Sequence, residues 1–343
     1  MKVGILGSVA WRTPPRNYGP WELFVYNLAE GLIDLGVEVT VFATKDSKTR
    51  AKLMSIVSKP YRENPKTMPE RIWECQHIGF FYEHARKFDI LHNNFDFIPL
   101  TYSKLIDKPQ VTTIHGFSSE DIIPIYERYN DSNYYVSISN ANRHPKLKYI
   151  DTVYHGVNLA EFNYNPKGGD YLLFLGRISR DKGVDLACKL AKMTNQKLII
   201  AGIIPPEEKE YFETKVKPYL DNNQIKFIGP VTPGPRNKIL GGALATVHLI
   251  NFSEPFGMTL IESMATGTPV IAFNKGSINE IIEDNKTGFV VDNIKEAAEK
   301  VKHLSEINRA DCRKRIEENF TRDTMAKNYL NVYQKVLDEY SKN

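Results

Sequence analysis

The sequence is short of cysteine, of long apolar runs and of any strong excess of one charge, and each shortage removes a class of protein. Cys75, Cys188 and Cys312 are far apart, odd in number and without a C-x-x-C pair, which excludes a disulfide framework and a cysteine zinc site. They read as buried or idle thiols in a reducing compartment. No apolar stretch approaches the ~20 residues that span a bilayer, and the run Met1–Gly7 passes into a strand pattern instead of a leader. A soluble, cytoplasmic protein is expected. A formal net charge of +4 favours neither a dedicated nucleic-acid binder nor an acidic-tail protein, so nucleic acid is not an expected partner.

Several catalytic signatures are missing as well. The histidines form no H-x-x-x-H or H-E-x-x-H pattern, and neither a G-x-S-x-G elbow nor a Walker-type G-x-x-x-x-G-K-[ST] loop occurs. The first strand offers only Gly4 and Gly7 before Ser8-Val9-Ala10-Trp11, so the G-x-G-x-x-G fingerprint is absent and NAD binding is not expected. No D-x-D occurs, so the carboxylate pair that often holds a divalent metal on a nucleotide diphosphate is missing. Chemistry without metal or cofactor is the simpler expectation.

What the chain does have is globular composition, 42% hydrophobic and 25% charged over 343 residues, enough for two α/β domains. Short β-rich runs alternate with helical patterns, the mark of βαβ units and parallel sheets. Val3–Leu6, Val37–Ala43, Ile90–His92, Val111–Ile114, Tyr134–Ile138 and Thr152–Tyr154 form one series of strands. Tyr171–Leu175, Lys197–Ala201, Ile225–Ile228, Ala245–Leu249, Pro269–Phe273 and Gly288–Val291 form a second. Between the first two strands, Leu23–Leu35 has helical spacing and Gly36 stands where a terminating glycine belongs. The turn-rich segment Asn158–Asp170 is the expected linker. The amphipathic stretch from Met325 to Tyr340 is either a closing helix or one that crosses back to the first domain.

Three constellations carry candidate chemistry. In Glu254-Pro255-Phe256-Gly257-Met258-Thr259-Leu260-Ile261-Glu262 a strand leads to an acidic residue, a glycine and a helix start. Such a start points free N–H groups outward, a site for a phosphate or pyrophosphate. Because carboxylates repel phosphate, Glu254 and Glu262 are expected to accept hydrogen bonds from sugar and ribose hydroxyls. In Gly176-Arg177-Ile178-Ser179-Arg180-Asp181-Lys182-Gly183 a strand delivers Arg177 and Lys182 to the loop before a helix, where they can neutralise charge on a leaving diphosphate. In the first domain, Gly19 lies in the loop between strand one and helix one, with Pro20 able to open that helix, and His115-Gly116 follows the strand Val111–Ile114. Both positions fall at the carboxyl end of the sheet, where His115 can bind a sugar hydroxyl or stabilise positive charge through its carbonyl.

The combination Gly176-Arg177-x4-Lys182-Gly183, Glu254-x7-Glu262 and Gly267-Thr268-Pro269-Val270 resembles the GT-B-fold family of retaining, nucleotide-sugar-dependent glycosyltransferases known as family four. Tyr18-Gly19, His115-Gly116, His155-Gly156-Val157-Asn158 and Gly276 to Gly288 follow in the family's order over nearly the whole chain. The resemblance implies two Rossmann-like domains facing a central cleft: residues 1–160 on the acceptor side, 161–324 on the nucleotide-sugar side, and a helix over 325–343 crossing back to the first. It implies that Arg177, Lys182 and the amides around Gly257, Met258 and Thr259 bind the donor diphosphate. Glu262 would hold the ribose, Glu254 the donor sugar, His115 the reacting sugar, and Gly19 the diphosphate from the other domain. The N-terminal loop reads Gly19-Pro20-Trp21 where many relatives have consecutive glycines, and no base-selective residue can be named near Ile225–Gly229.

The expected activity is retaining transfer of a hexose from a nucleotide sugar, UDP-glucose on family frequency and GDP-mannose as the alternative, to a glycan, lipid or small-molecule hydroxyl. A GT-B nucleotide-sugar epimerase or phosphorylase would share the same fold. A non-catalytic glycan- or membrane-binding protein is the third reading. It rests on Lys45, Lys48, Arg50, Lys52, Lys59, Arg62, Lys66 and Arg71, among which Leu53, Met54, Ile56 and Val57 would form the apolar face of a helix in weak peripheral contact with the inner membrane face.

Overall fold

The computed structural model describes residues 1–16, 19–63 and 69–342; Tyr18 and Lys66 lie outside the described residues. The chain divides into two compact units, Met1–Gly156 with Arg322–Asn343, and Val157–Thr321. Each is built on one parallel sheet, matching the expected α/β class.

The first unit contains β1 (Lys2–Leu6), β2 (Glu38–Phe42), β3 (Lys52–Met54), β4 (Ile90–Asn93), β5 (Gln110–Ile114), β6 (Tyr134–Ser137) and β7 (Tyr149–Thr152), in the order β3-β2-β1-β4-β5-β6-β7. Parallel strands covered on both faces need continuous apolar runs, and Val3, Ile5 and Leu6 of β1 are fully buried. The following helix, Pro20–Asp34, opens on Pro20, whose missing N–H has no intrahelical use at that position. It buries Phe24, Val25, Leu28, Ala29 and Leu32, and at Gly31 it meets the last helix so closely that a Cβ would lie 2.7 Å from that of Ala326.

That last helix, Arg322–Tyr340, is part of the first unit. Its Met325, Tyr329, Val332, Tyr333 and Val336 complete the core formed by β1, β2 and the Pro20–Asp34 helix, each buried side chain contributing about 1.5–3 kcal/mol. A buried polar chain pins it to the sheet: His92 Nδ1 lies 2.6 Å from the Tyr333 hydroxyl, His92 Nε2 2.7 Å from Thr113 Oγ1, and Thr113 Oγ1 2.8 Å from the Tyr329 hydroxyl.

Two segments differ from the sequence expectation. The seventh strand is Tyr149–Thr152, not Thr152–Tyr154; it is a half-buried edge strand with no apolar run to mark it. The basic stretch around Lys45–Arg71 does not form the expected helix at its centre. Lys52–Met54 is an edge strand paired with β2, so its side chains alternate between faces, Leu53 packing on one core and Met54 on another. Val57 is fully buried and only Ile56 of the four apolar residues is exposed, so the apolar face needed for a membrane is turned inward. Among the described residues no helix is long and apolar enough to cross a membrane.

The second unit contains β8 (Tyr171–Leu175), β9 (Lys197–Ala201), β10 (Ile225–Phe227), β11 (Ala245–His248), β12 (Val270–Phe273) and β13 (Gly288–Val291), in the order β10-β9-β8-β11-β12-β13. The polar segment expected as a linker is packed onto this unit. Asn165 N–H donates to the Thr266 carbonyl at 2.9 Å, and Arg309 Nε donates to the Asn165 carbonyl at 2.7 Å. In both sheets the chain reverses its winding direction next to the first strand, between β1 and β4 and between β8 and β11. Loops leaving the carboxyl ends of such a strand pair frame the crevice where open α/β sheets take ligands.

Candidate active site

In the second unit the two crevice loops are locked together backbone to backbone. The loop after β8 ends at Gly183, which adopts φ +68 and caps the Val184–Thr194 helix. A Cβ there would stand 2.0 Å from the Leu249 carbonyl oxygen, so only glycine lets the loops after β8 and β11 approach. Asn251 N–H donates to the Asp181 carbonyl at 2.8 Å across the same seam.

This seam aims Lys182 at Glu254. Lys182 Nζ donates to Glu254 Oε2 at 2.8 Å and lies 4.6 Å from the centre of the Phe252 ring, while His248 Nε2 lies 3.1 Å from the same oxygen. Burial pushes the Glu254 carboxyl up, but the His248 hydrogen bond and charge, with Lys182, outweigh it and hold it down at about 2. Glu254 is therefore an ionised, fixed acceptor. Its backbone is held by the next loop, since Ser277 N–H donates to the Glu254 carbonyl at 3.0 Å and a Cβ on Gly276 would lie 2.3 Å from that oxygen. Arg177 is placed differently: its side chain is 42% exposed and its guanidinium is 3.9 Å from Asp181, a loose pair that leaves it able to turn.

Gly257, at φ +88, caps the Met258–Ala265 helix, whose first turn closes through Leu260 N–H to the Gly257 carbonyl at 3.0 Å. The first amides of such a helix have no intrahelical acceptor and carry the positive end of its dipole. Thr259 Oγ1 reaches the Leu175 carbonyl at 3.5 Å, tying this helix start to the end of β8. Glu262 follows on the same helix, only 4% exposed, and Arg236 Nη1 lies 3.3 Å from its Oε1. Among the described residues Glu262 accepts no hydrogen bond. Burial raises its carboxyl above the ordinary value, Arg236 lowers it, and Glu161 adds a like charge that raises it again.

In the first unit, His115 stands at the end of β5 with Nε2 3.2 Å from Asn94 Oδ1. An amide oxygen can only accept, so this bond puts the imidazole proton on Nε2 and leaves Nδ1 a bare acceptor, buried and unpartnered. The ring stacks on Trp21 at 5.7 Å and on His155 at 5.3 Å, with the Phe24 edge at 4.7 Å. Burial holds His115 well below the ordinary histidine value, and the neighbouring His155 and His92 add to the effect. Gly19 caps the Pro20–Asp34 helix, and a Cβ on it would lie 2.8 Å from Glu22 Oε2. Glu22 is buried and accepts from Trp11 N–H at 3.1 Å, fixing the loop after β1.

The architecture recurs in solved structures. Sucrose-phosphate synthase from Thermosynechococcus elongatus superposes with a TM-score of 0.80 at 17% identity over 99% of this chain and 100% of its own. Anabaena HepE in complex with UDP and glucose superposes with 0.75 at 16% identity, over 98% and 100%. Residues 22–160 match the family model described as Glycosyltransferase Family 4, and residues 159–323 the model described as Glycosyl transferases group 1. The chain belongs to the GT-B glycosyltransferases. An uncharacterised glycosyltransferase of Methanocaldococcus jannaschii is 24% identical, over 97% of this chain and 98% of the relative.

Within this glycosyltransferase the structure thus brings Lys182 to Glu254 and ties Thr259, in the first turn of the helix that Gly257 and Met258 open, to the end of β8, whereas Arg177 pairs with its own loop and Glu262 with Arg236. Sequence reasoning missed Arg236, His248, Asn94 and Trp21. His248 ends β11 and Asn94 follows β4, so their positions at strand exits were the available signal; nothing local to Arg236 points to Glu262.

Proposed function

We propose that this glycosyltransferase moves a hexose, with retention, from a nucleoside-diphosphate sugar to an acceptor hydroxyl by a metal-independent front-face reaction. The observation that carries the reading is Glu262. A carboxylate this buried, with one cation and no hydrogen-bond donor, is incompletely satisfied until a ligand supplies hydroxyls. It lies on the same helix whose free amides suit a diphosphate, so ribose and diphosphate are recognised by consecutive turns. UDP and glucose are the molecules bound to Anabaena HepE, which supports UDP-glucose as the donor over GDP-mannose.

In this mechanism the bond from the anomeric carbon to the phosphate oxygen breaks ahead of attack, giving an oxocarbenium-like sugar. The acceptor oxygen bonds to the anomeric carbon on the face the phosphate leaves, and its proton passes to a phosphate oxygen. Arg177, Lys182 and the amides around Gly257, Met258 and Thr259 neutralise the departing diphosphate. Glu254, held ionised, accepts from the donor sugar and positions it; it is not a nucleophile. His115 offers Nδ1 to a hydroxyl of the reacting sugar, and Gly19 gives the backbone access to the diphosphate. The acceptor class is a glycan, lipid or small-molecule hydroxyl, and three unpaired thiols suit a cytoplasmic setting.

A thermal-shift screen of UDP, GDP and ADP with their hexose conjugates tests the reading. A cognate nucleotide at 100 times its Kd stabilises the fold by about 2.7 kcal/mol, a shift of a few degrees. Labelled donor should then release nucleotide only when acceptor is added. Absence of any shift at millimolar nucleotide, together with no donor consumption, would overturn it.

A further inference from the structure

We propose that Arg236 and Glu262 together form a two-sided receptor for the vicinal diol of the donor ribose, with Arg236 as a residue that determines specificity for ribonucleotides. The inference rests on the donor reading above and assigns a new residue to it. Arg236 comes from the Pro233–Gly241 helix after β10, a different element from the helix carrying Glu262. The side chains are 20% and 6% exposed, so the pair is largely withdrawn from water.

Each member is incomplete in a complementary sense. Glu262 accepts no hydrogen bond among the described residues, and Arg236 Nε is buried with no acceptor. The contact joins Nη1 to Oε1 at 3.3 Å, leaving the second carboxylate oxygen and the Nε–H of the fork unused. Two adjacent hydroxyls supply what both lack: their O–H groups donate to the carboxylate, and one of their oxygens accepts from Nε–H. A phosphate would satisfy Arg236 but be repelled by Glu262 and by Glu161, the second carboxylate facing it. An ammonium group would satisfy Glu262 but leave Nε–H bare. A neutral diol serves both.

Isothermal titration of the full-length protein with UDP, GDP and their 2′-deoxy counterparts tests this in the wild type, Arg236→Gln and Arg236→Lys. The wild type is expected to bind its preferred ribonucleotide about tenfold or more tighter than the deoxy form. Arg236→Gln should bind the ribonucleotide about tenfold more weakly and lose most of that discrimination, with Arg236→Lys intermediate because it keeps the charge but not the fork. A role in packing alone would weaken both nucleotides equally and leave the ratio unchanged, which would overturn the inference. Should Arg236→Gln fail to fold, the ratio in Arg236→Lys decides in the same way. A wild type that binds neither UDP nor GDP at millimolar concentration overturns the donor reading itself, and this inference with it.

Discussion

Acid should weaken the first unit well before it reaches the carboxylate range. His77, His92, His115 and His155 all lie in that unit; burial pushes His77, His92 and His155 down to about 4, 3 and 3 from an ordinary value of 6.5 and holds His115 well below it too. A ring that resists protonation when folded takes up a proton on unfolding. The stability it contributes is therefore fully present above pH 6.5 and is lost as pH falls from 6.5 toward the folded values. At pH 5.5, one unit below the free value, each ring costs a little over 1 kcal/mol, or about 4 kcal/mol for His77, His92 and His155, with His115 adding in the same direction. Glu22, Glu74 and Asp96, raised by burial, act in the opposite sense and offset part of what His115 adds. Lowering pH from 7.5 to 5.5 crosses the ordinary histidine value and stays above the ordinary carboxylate value, so proton uptake by the unfolded histidines dominates. Trp11, Trp21 and Trp73 all belong to the first unit, so tryptophan emission during urea unfolding reports on it alone. The unfolding free energy from that signal should fall by about 4 kcal/mol over this interval. The second unit has only His248 and His303, and the depressed Glu254 begins to lose its contribution only below 4.5. A change under about 1 kcal/mol in the tryptophan transition would refute the reasoning.

Lys182→Ala should lower turnover of the cognate donor by ~10²-fold or more, as loss of one fixed oxyanion donor does; wild-type sugar transfer by this variant and by Arg177→Ala would break the assignment. Gly276→Ala drives a Cβ to 2.3 Å from the Glu254 carbonyl oxygen at φ +65, whereas a Cβ on Gly36, at φ +78, meets nothing within 4 Å. The second change should cost roughly 1 kcal/mol of left-handed strain and the first considerably more, with a raised donor KM, read by calorimetry and kinetics. Tyr333→Phe removes the partner of His92 Nδ1 from a dry core and should cost about 1–3 kcal/mol in urea unfolding, with the donor KM unchanged.

How far the fold was legible depended on the kind of contact. Strands buried on both faces must be apolar throughout, so runs such as Tyr171–Leu175 and Pro269–Phe273 announce themselves. The edge strands do not: Lys52-Leu53-Met54 and Tyr149-Ile150-Asp151-Thr152 mix polar and apolar residues because one side faces water. Gly183 and Gly257 were readable as helix openings since each takes a positive φ that other residues avoid. Pairs made across the fold left no local trace. Glu254 and Lys182 both stood out, but their contact depends on two loops meeting at Leu249, and Glu262 meets Arg236 only because two helices are brought side by side.

The place of the Arg322–Tyr340 helix governs the order in which this protein can be made. The first 156 residues leave the ribosome early, yet the wall of their core formed by Tyr329, Tyr333 and Val336 is synthesised only after all of Val157–Thr321. Throughout the synthesis of Val157–Thr321 the earlier unit therefore waits with the Gly31 face of its first helix bare, a site for premature association that only the last helix closes.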